Sequence, residues 1–315
     1  MKNMKNMGKT FFTAIAGILL LSVAVFAQDE AVTIASPTPW TTLRSDSVVV
    51  SVQADTLRLP QRAIAFKVNK NSNGRTSALF SKTVKMDDIS ADVFLGRLGA
   101  LPLGGADFLT IEWSVPGSEL KGSIEPLGAV RLPEGAAVRP PLSAVRLKEG
   151  AAEAQVADVL RGVAGTEAGG VKFAAGWNMD ALYVLVNAGD GVSEVQVAID
   201  GKCGKSAFMS WADRFVVFSA DADSVYGRHY RRSVDKNALK FEDMAWGGKS
   251  TLSVTKAEAT RLIKIRWHEL GLQPFEERNT GFAVFVVNKA KKVAAYPGLA
   301  NREIPGTWGD LKLEK

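Results

Sequence analysis

The last stretch of the chain, from Ala259 to Lys315, constrains the fold most. Leu262, Lys264 and Arg266 alternate with Ile263, Ile265 and Trp267, the period of two expected of a strand with one covered face. A break follows at His268-Glu269-Leu270-Gly271-Leu272, with Pro274 just beyond it. Gly281 to Val287 is then apolar almost throughout, so a strand there needs cover on both faces. The chain closes on Thr307-Trp308-Gly309-Asp310-Leu311-Lys312-Leu313, a turn followed by one alternating strand.

Upstream, residues 171 to 184 read VKFAAGWNMDALYV: an apolar strand, Trp177, an acidic turn at Asp180 and a Leu182-Tyr183-Val184 strand. Residues 195 to 200, VQVAID, make a strand that closes on an acid. With Trp267-His268-Glu269-Leu270-Gly271, Gly281-Phe282 and Trp308-Gly309, this succession resembles the family 9 carbohydrate-binding modules. These are sugar-binding β-sandwiches, related to the DOMON group, that accompany secreted polysaccharide-degrading enzymes. The resemblance covers about residues 165–315. The chain departs from the family at two places. Arg266 replaces the proline of the turn, and Val287-Asn288-Lys289 stands where the family ends its middle strand in Asn-Asp.

The resemblance implies a sugar held between two aromatic rings over a row of polar strand residues. Ring faces suit sugar C–H groups because they are flat, apolar and partly negative. Carried over by position, it gives Tyr296 as one ring, Trp211 as a replacement for the second, and Gln196 and Asn288 as polar partners. The arginine of the strand after VQVAID falls near Val216, and the polar row of the Gly-Phe strand becomes Ala283, Phe285 and Val287. Each polar partner lost from a desolvated hydroxyl costs about 1–3 kcal/mol. Three such losses are on the order of a hundred-fold to a millionfold in affinity. The expected site is therefore an altered one. Trp177, Leu182, Tyr183 and Trp308 are expected to be structural. The resemblance allows a structural calcium ion; no other cofactor is expected.

The chain begins with Lys2, Lys5 and Lys9, then an apolar run from Phe11 to Phe26, then Ala27. This reads as a cleaved secretory signal over residues 1–27, with cleavage after Ala27. The alternative is an uncleaved anchor, but the run is short for a span and no stop-transfer charges follow. No membrane span is expected in the mature chain, whose location is then secreted or periplasmic. Removing three leader lysines takes the formal charge from +6 to +3, so the basic balance gives no argument for a nucleic-acid partner. Cys203 is the single cysteine. An exported chain with one cysteine has no internal disulfide. Its stability must come from apolar burial, for which 315 residues at 46% hydrophobic content suffice for two cores.

Residues 28–130 read as a first all-β domain. Val48 to Val52, Ala63 to Val68, Ala78 to Val84 and Phe108 to Val115 are short β-rich runs, with turn chemistry at Asn71-Ser72-Asn73-Gly74 and Pro116-Gly117-Ser118. Leu109, Ile111 and Trp113 share one face. The opening, from Val32 to Pro37 and Ser45 to Val48, resembles immunoglobulin-like modules. Residues 131–160 then form a connector that includes the first strand of the next domain. Residues 129–137, AVRLPEGAA, recur as AVRLKEGAA at 144–152 with one change in nine. The first copy is read as the last strand of the front domain and the second as the first strand of the back one. A low-complexity Ala/Pro linker is the other reading. Ala152 to Leu160 suits a short helix. Residues 161–315 complete the back sandwich. The expected fold class is thus all-β, two sandwiches after a leader.

The residues point away from an enzyme. His229 and His268 lie far apart, and no zinc spacing, phosphate loop, dinucleotide glycine pattern or Gly-x-Ser-x-Gly elbow occurs. A carboxylate pair for glycoside hydrolysis meets only in space, and two sandwiches leave no length for a catalytic domain. Met179, Met209 and Met244 show no spacing that favours haem ligation, which some DOMON relatives support. Arg228, His229, Arg231 and Arg232 read as a solvated basic loop. The functional expectation is a secreted, non-catalytic protein that binds a polysaccharide or oligosaccharide and serves xylan or cellulose breakdown. The alternative is a periplasmic or surface module whose partner is an envelope protein.

Overall fold

The computed structural model describes residues 31–130, 142–235, 238–247, 252–276 and 278–315. The expected leader and its cleavage point lie outside the described residues, as does the 131–141 part of the expected connector. Among the described residues, no helix is long and apolar enough to cross a membrane.

The structure is all-β in class. The front half carries β1 (Val32–Ser36), β2 (Thr42–Leu43), β3 (Ser47–Ala54), β4 (Ala63–Ser72), β5 (Arg75–Lys85), β6 (Ser90–Arg97), β7 (Asp107–Ser114) and β8 (Lys121–Ala129). A three-stranded sheet, β1-β3-β6, packs on a five-stranded one, β2-β8-β7-β4-β5. Alternation decides the facing: Val48, Val50 and Val52 of β3 are buried. They share one core with Ile64, Phe66 and Val68 of β4 and with Leu109 and Ile111 of β7. Trp113 shares their face and is only half-buried, laid over Gly122. The β4–β5 hairpin turns at Asn73 and Gly74, whose φ angles of 49° and 78° match the twist of the flanking strands. β5 is the free edge of its sheet.

The back half carries β9 (Leu142–Arg146), α1 (Glu153–Arg161), β10 (Thr166–Ala168), β11 (Val171–Trp177), β12 (Ala181–Asn187) and β13 (Val192–Asp200). It continues with β14 (Asp213–Ser219), β15 (Ser224–Asp235), β16 (Ala238–Trp246), β17 (Leu252–Ala257) and β18 (Thr260–Arg266). After a one-turn helix at Trp267–Leu270 come β19 (Asn279–Asn288), β20 (Val293–Tyr296) and β21 (Gly309–Leu313). They form one thirteen-stranded sheet in the order β16-β15-β14-β13-β19-β21-β9-β11-β12-β18-β17, with β10 on β11 and β20 on β19. Val197 and Val216 from one arm of this order share a core with Val184 and Ile263 from the other. The sheet therefore folds back on itself and encloses its own apolar face.

β9, the second copy of the repeat, lies parallel to both β11 and β21, so the first and last strands of the back half are neighbours. α1 covers the outer face of β11 and β12 with Val156, Ala157 and Leu160, against Ala174, Tyr183 and Leu185. The outer face of β13, β14 and β19 is covered by Met209 and Trp308, against Phe215, Val217, Ala283 and Phe285. That second layer is why residues 281–287 are apolar on both faces. Trp177, Leu182, Tyr183 and Trp308 are all buried. The Trp177 indole donates to the Glu314 carbonyl at 2.9 Å, and the Trp308 indole to the Asn301 carbonyl at 2.8 Å.

The two halves meet at a built joint. The loop between β13 and β14 sends Ala207 and Phe208 against Phe108 and Val130 of the front half. The Ala207 N–H donates to Thr42 Oγ1 at 2.9 Å, and the Ala207 carbonyl accepts from Gly105 N at 3.1 Å. Arg44 donates to the Gly204 and Lys205 carbonyls, each at 2.6 Å. Phe208 meets Trp40 edge to face at 5.6 Å, and the Arg232 guanidinium lies 4.1 Å from the centre of the same Trp40 ring.

Candidate functional site

The outer face of β13, β14 and β15 gathers polar and aromatic side chains. Val195, Val197 and Ile199 point into the core, so alternation turns Glu194 and Gln196 outward. Tyr226 and Tyr230 pack beside the outer apolar layer, which places Arg228 between them on the same face. Gln196 Nε2 donates to Glu194 Oε2 at 2.8 Å. Burial pushes the Tyr226 phenol above its usual range, and the Glu194 carboxylate that accepts from it adds to the shift. The Arg228 guanidinium lies 5.1 Å from the Tyr226 ring centre and pairs with Asp243 of β16 at 3.4 Å. Tyr230 stands edge to face on Phe215 at 5.7 Å, and Phe215 meets Trp308 in the same way at 5.5 Å. Both tyrosines are half-buried. They are four residues apart on one strand, about 13 Å, which exceeds the width of a single pyranose ring.

The four residues carried over from the family are not neighbours. Tyr296 pairs with Val284 and turns to the inner side, where its ring meets Phe173 edge to face at 5.4 Å. Burial raises its phenol pKa. Gln196 faces outward but is only 4% exposed. Trp211 is 66% exposed, with Lys202 Nζ 5.0 Å from its ring centre, and it sits beside Asp213, at the Asp200 end of β13. Asn288 pairs with Val192 at the other end of that strand and accepts from the Lys292 N–H at 2.9 Å. Nine strand residues, about 27 Å, separate the two ends.

The cation of this face is Arg228, one strand further on than the resemblance placed it, since Val216 is a core residue. The basic cluster read as a solvated loop is in fact on β15. The signal was present as a period-two pattern, Tyr226, Arg228, Tyr230 and Arg232, masked by the intervening His229. His229 is held below its usual pKa by burial and by Arg214.

Two acids close the end of this face. Asp200 and Asp213 are directly opposed across β13 and β14, and both are buried. Asp213 is pushed up to about 7, chiefly by burial and then by the charge of Asp200. The Asp200 oxygens accept from the Lys202 and Lys205 N–H groups, and Asp213 Oδ2 accepts from the Ser210 N–H. These acids are spent on loop structure and offer no open face to a substrate. Among the described residues, no three His, Cys, Asp or Glu side chains gather as a metal site.

A groove of about 800 Å³ crosses the outer face of the front sheet between Lys67, Glu112, Ser81, Thr83 and Lys121. Lys67 and Glu112 pair across it at 3.6 Å. The half-buried Trp113 also lines this groove, while packing in part against the front core. Neither a protein-family model nor a curated protein matches this chain.

Proposed function

We propose that the chain is a secreted, non-catalytic carbohydrate-binding protein whose site lies on the outer face of β13 to β16. It serves the breakdown of cellulose- or xylan-type polysaccharides. The observation that supports this most directly is the pair Tyr226 and Tyr230, half-exposed on one strand and flanking the Arg228–Asp243 pair, with Glu194 alongside. Half-exposed rings give sugar C–H faces apolar area, and the charged groups between them give hydroxyls strong hydrogen-bond partners. The resemblance to family 9 modules over residues 165–315 supports the same reading. One side of the ligand stays open to water, and Arg228 and Asp243 are already partnered. Binding is therefore weak, with Kd on the order of 1 mM, about −4 kcal/mol.

The test is calorimetry on the full mature chain with short β-linked glucose and xylose oligomers. Tyr226→Ala and Tyr230→Ala each weaken binding about tenfold, and Tyr296→Ala leaves affinity unchanged. Binding that survives both outer substitutions and is lost with Tyr296→Ala would return the site to the family's position. A second reading, contact with an envelope protein, draws support from β5. This eleven-residue edge strand is exposed along nearly its whole length, and such an edge can accept a partner strand. No binding to any oligomer would favour it.

A further inference from the structure

The loop between β13 and β14 joins the halves, and both of its ends are fastened by the same two acids. At its start, Asp200 Oδ1 accepts from Lys202 N and Oδ2 from Lys205 N, each at 3.1 Å, and the Asp200 carbonyl accepts from Cys203 N at 3.0 Å. At its end, Asp213 Oδ2 accepts from Ser210 N at 2.5 Å, and the Asp213 N–H donates to the Ser210 carbonyl at 3.1 Å. Between these fastenings, Ala207 and Phe208 enter the front half. The fit there is tight: a Cβ at Gly104 would stand 2.1 Å from the Ala207 oxygen.

We propose that the opposed, buried carboxyl groups of Asp200 and Asp213 form a latch, closed when Asp213 is protonated, that sets how firmly the two halves are joined. With Asp213 protonated, no like charge on it opposes the Asp200 side chain. The loop then keeps the shape that seats Ala207 and Phe208. When that proton leaves, two like charges face each other in a buried position, which is unfavourable without a compensating cation. The ends of the loop are then driven apart, and the seated residues withdraw.

The surrounding groups compensate that repulsion only in part. Arg232 of β15 is the one cation found to lower the Asp213 pKa, and it is engaged with the Met209 carbonyl at 3.3 Å and with the Trp40 ring. Lys205 turns its ammonium away, to Asp310 of β21 at 2.5 Å and to the Gly309 carbonyl at 3.0 Å. Lys202 lies over Trp211. From β19, the neighbours are Thr280, whose hydroxyl donates to the Asp200 carbonyl, and Gly281 against the Asp200 side chain. The Cys203 thiol, raised mainly by its own burial, is neutral. Arg278 and Glu269 act on the neighbouring Cys203 and Arg214. Arg44 of the front half is taken up by the Gly204 and Lys205 carbonyls. The proton is retained up to about pH 7, while an Asp freed from burial loses it near 4, so the joint is firmest in acid, loosens as pH rises toward 7 and changes no further above that.

Amide hydrogen exchange on the full chain tests this at Gly105 and Ala207, whose N–H groups both donate within the joint. After correction for intrinsic pH dependence, their exchange rises up to about tenfold for each pH unit between about 4 and about 7 and levels off above that. The β3 and β12 amides stay better protected than the joint amides throughout. Asp213→Asn keeps an acceptor for Ser210 and adds a donor toward Asp200, so its joint stays protected across the range. The proposal is overturned if wild type and Asp213→Asn follow the same pH profile, or if the joint amides exchange no faster than those of the core strands. If Asp213→Asn fails to accumulate, carboxyl-carbon NMR of the wild-type protein decides instead. One aspartate titrating near 7 supports the latch, and all aspartates titrating below about 5 overturn it.

Discussion

A methyl group on Gly128 would stand 2.2 Å from the methyl of Ala207. Gly128 ends the front sheet in β8, and Ala207 belongs to the back half, 79 positions later in the sequence. The closeness of these two backbones is what makes the joint more than a chain connection. Gly128→Ala forces the loop out of its seat, a strain of about 1–3 kcal/mol. The expected outcome in a thermal scan is one transition for wild type and two for Gly128→Ala, one from each half. A single transition at the wild-type temperature would show that the joint yields without cost.

The acid pair gives a stability profile with a definite sign. An aspartate whose native pKa lies above its unfolded value binds a proton in the native state while the unfolded chain has lost it. Stability therefore falls as pH rises from about 4 to about 7 and levels off above that. The slope is about 1.4 kcal/mol per pH unit, a few kcal/mol in all. Urea titrations of wild type at pH 5 and pH 8 will show this loss, and Asp213→Asn will flatten it. Greater stability at pH 8 than at pH 5 would contradict the assignment.

Trp308 is buried between Phe215 and the Asn301 carbonyl. Trp308→Ala leaves a cavity over the outer layer, while the Asn301 carbonyl keeps the Ile304 N–H as a donor. Denaturation should register a loss of about 3–5 kcal/mol. A loss below about 1 kcal/mol would mean that the layer collapses into the space.

Tyr226 and Tyr296 are expected to separate binding from stability. Tyr226→Ala removes a half-exposed ring, so it weakens oligosaccharide binding and changes stability little. Tyr296→Ala removes a ring packed on Phe173 and costs about 1–2 kcal/mol in denaturant titrations, with affinity intact. The reverse pattern in paired calorimetry and denaturation experiments would place the sugar on the inner side.

The chain's period-two patterns determined much by themselves. Leu262 to Trp267 gave β18, residues 281–287 gave a strand with two covered faces, and Asn73-Gly74 gave a hairpin. These are local properties, written in the side-chain alternation of a strand and in the φ angles open to Asn and Gly. The helix expected at 152–160 formed at Glu153–Arg161, within the usual one-residue shift of a helix end.

The tertiary structure alone decided which strands became neighbours, and with them the candidate site. The expected sugar site joined Tyr296 and Gln196, yet pairing with Val284 turned one ring inward while Glu194 occupied the other side chain. Arg228 entered the face because β15 pairs with β14 in the register that sets it opposite Phe215. Asp200 and Asp213 became a pair for the same reason, twelve residues of loop and strand end brought to one point. Register is fixed by long-range apolar packing, because a slip of one residue would turn every core side chain to the outside. No local pattern in the sequence carries that information.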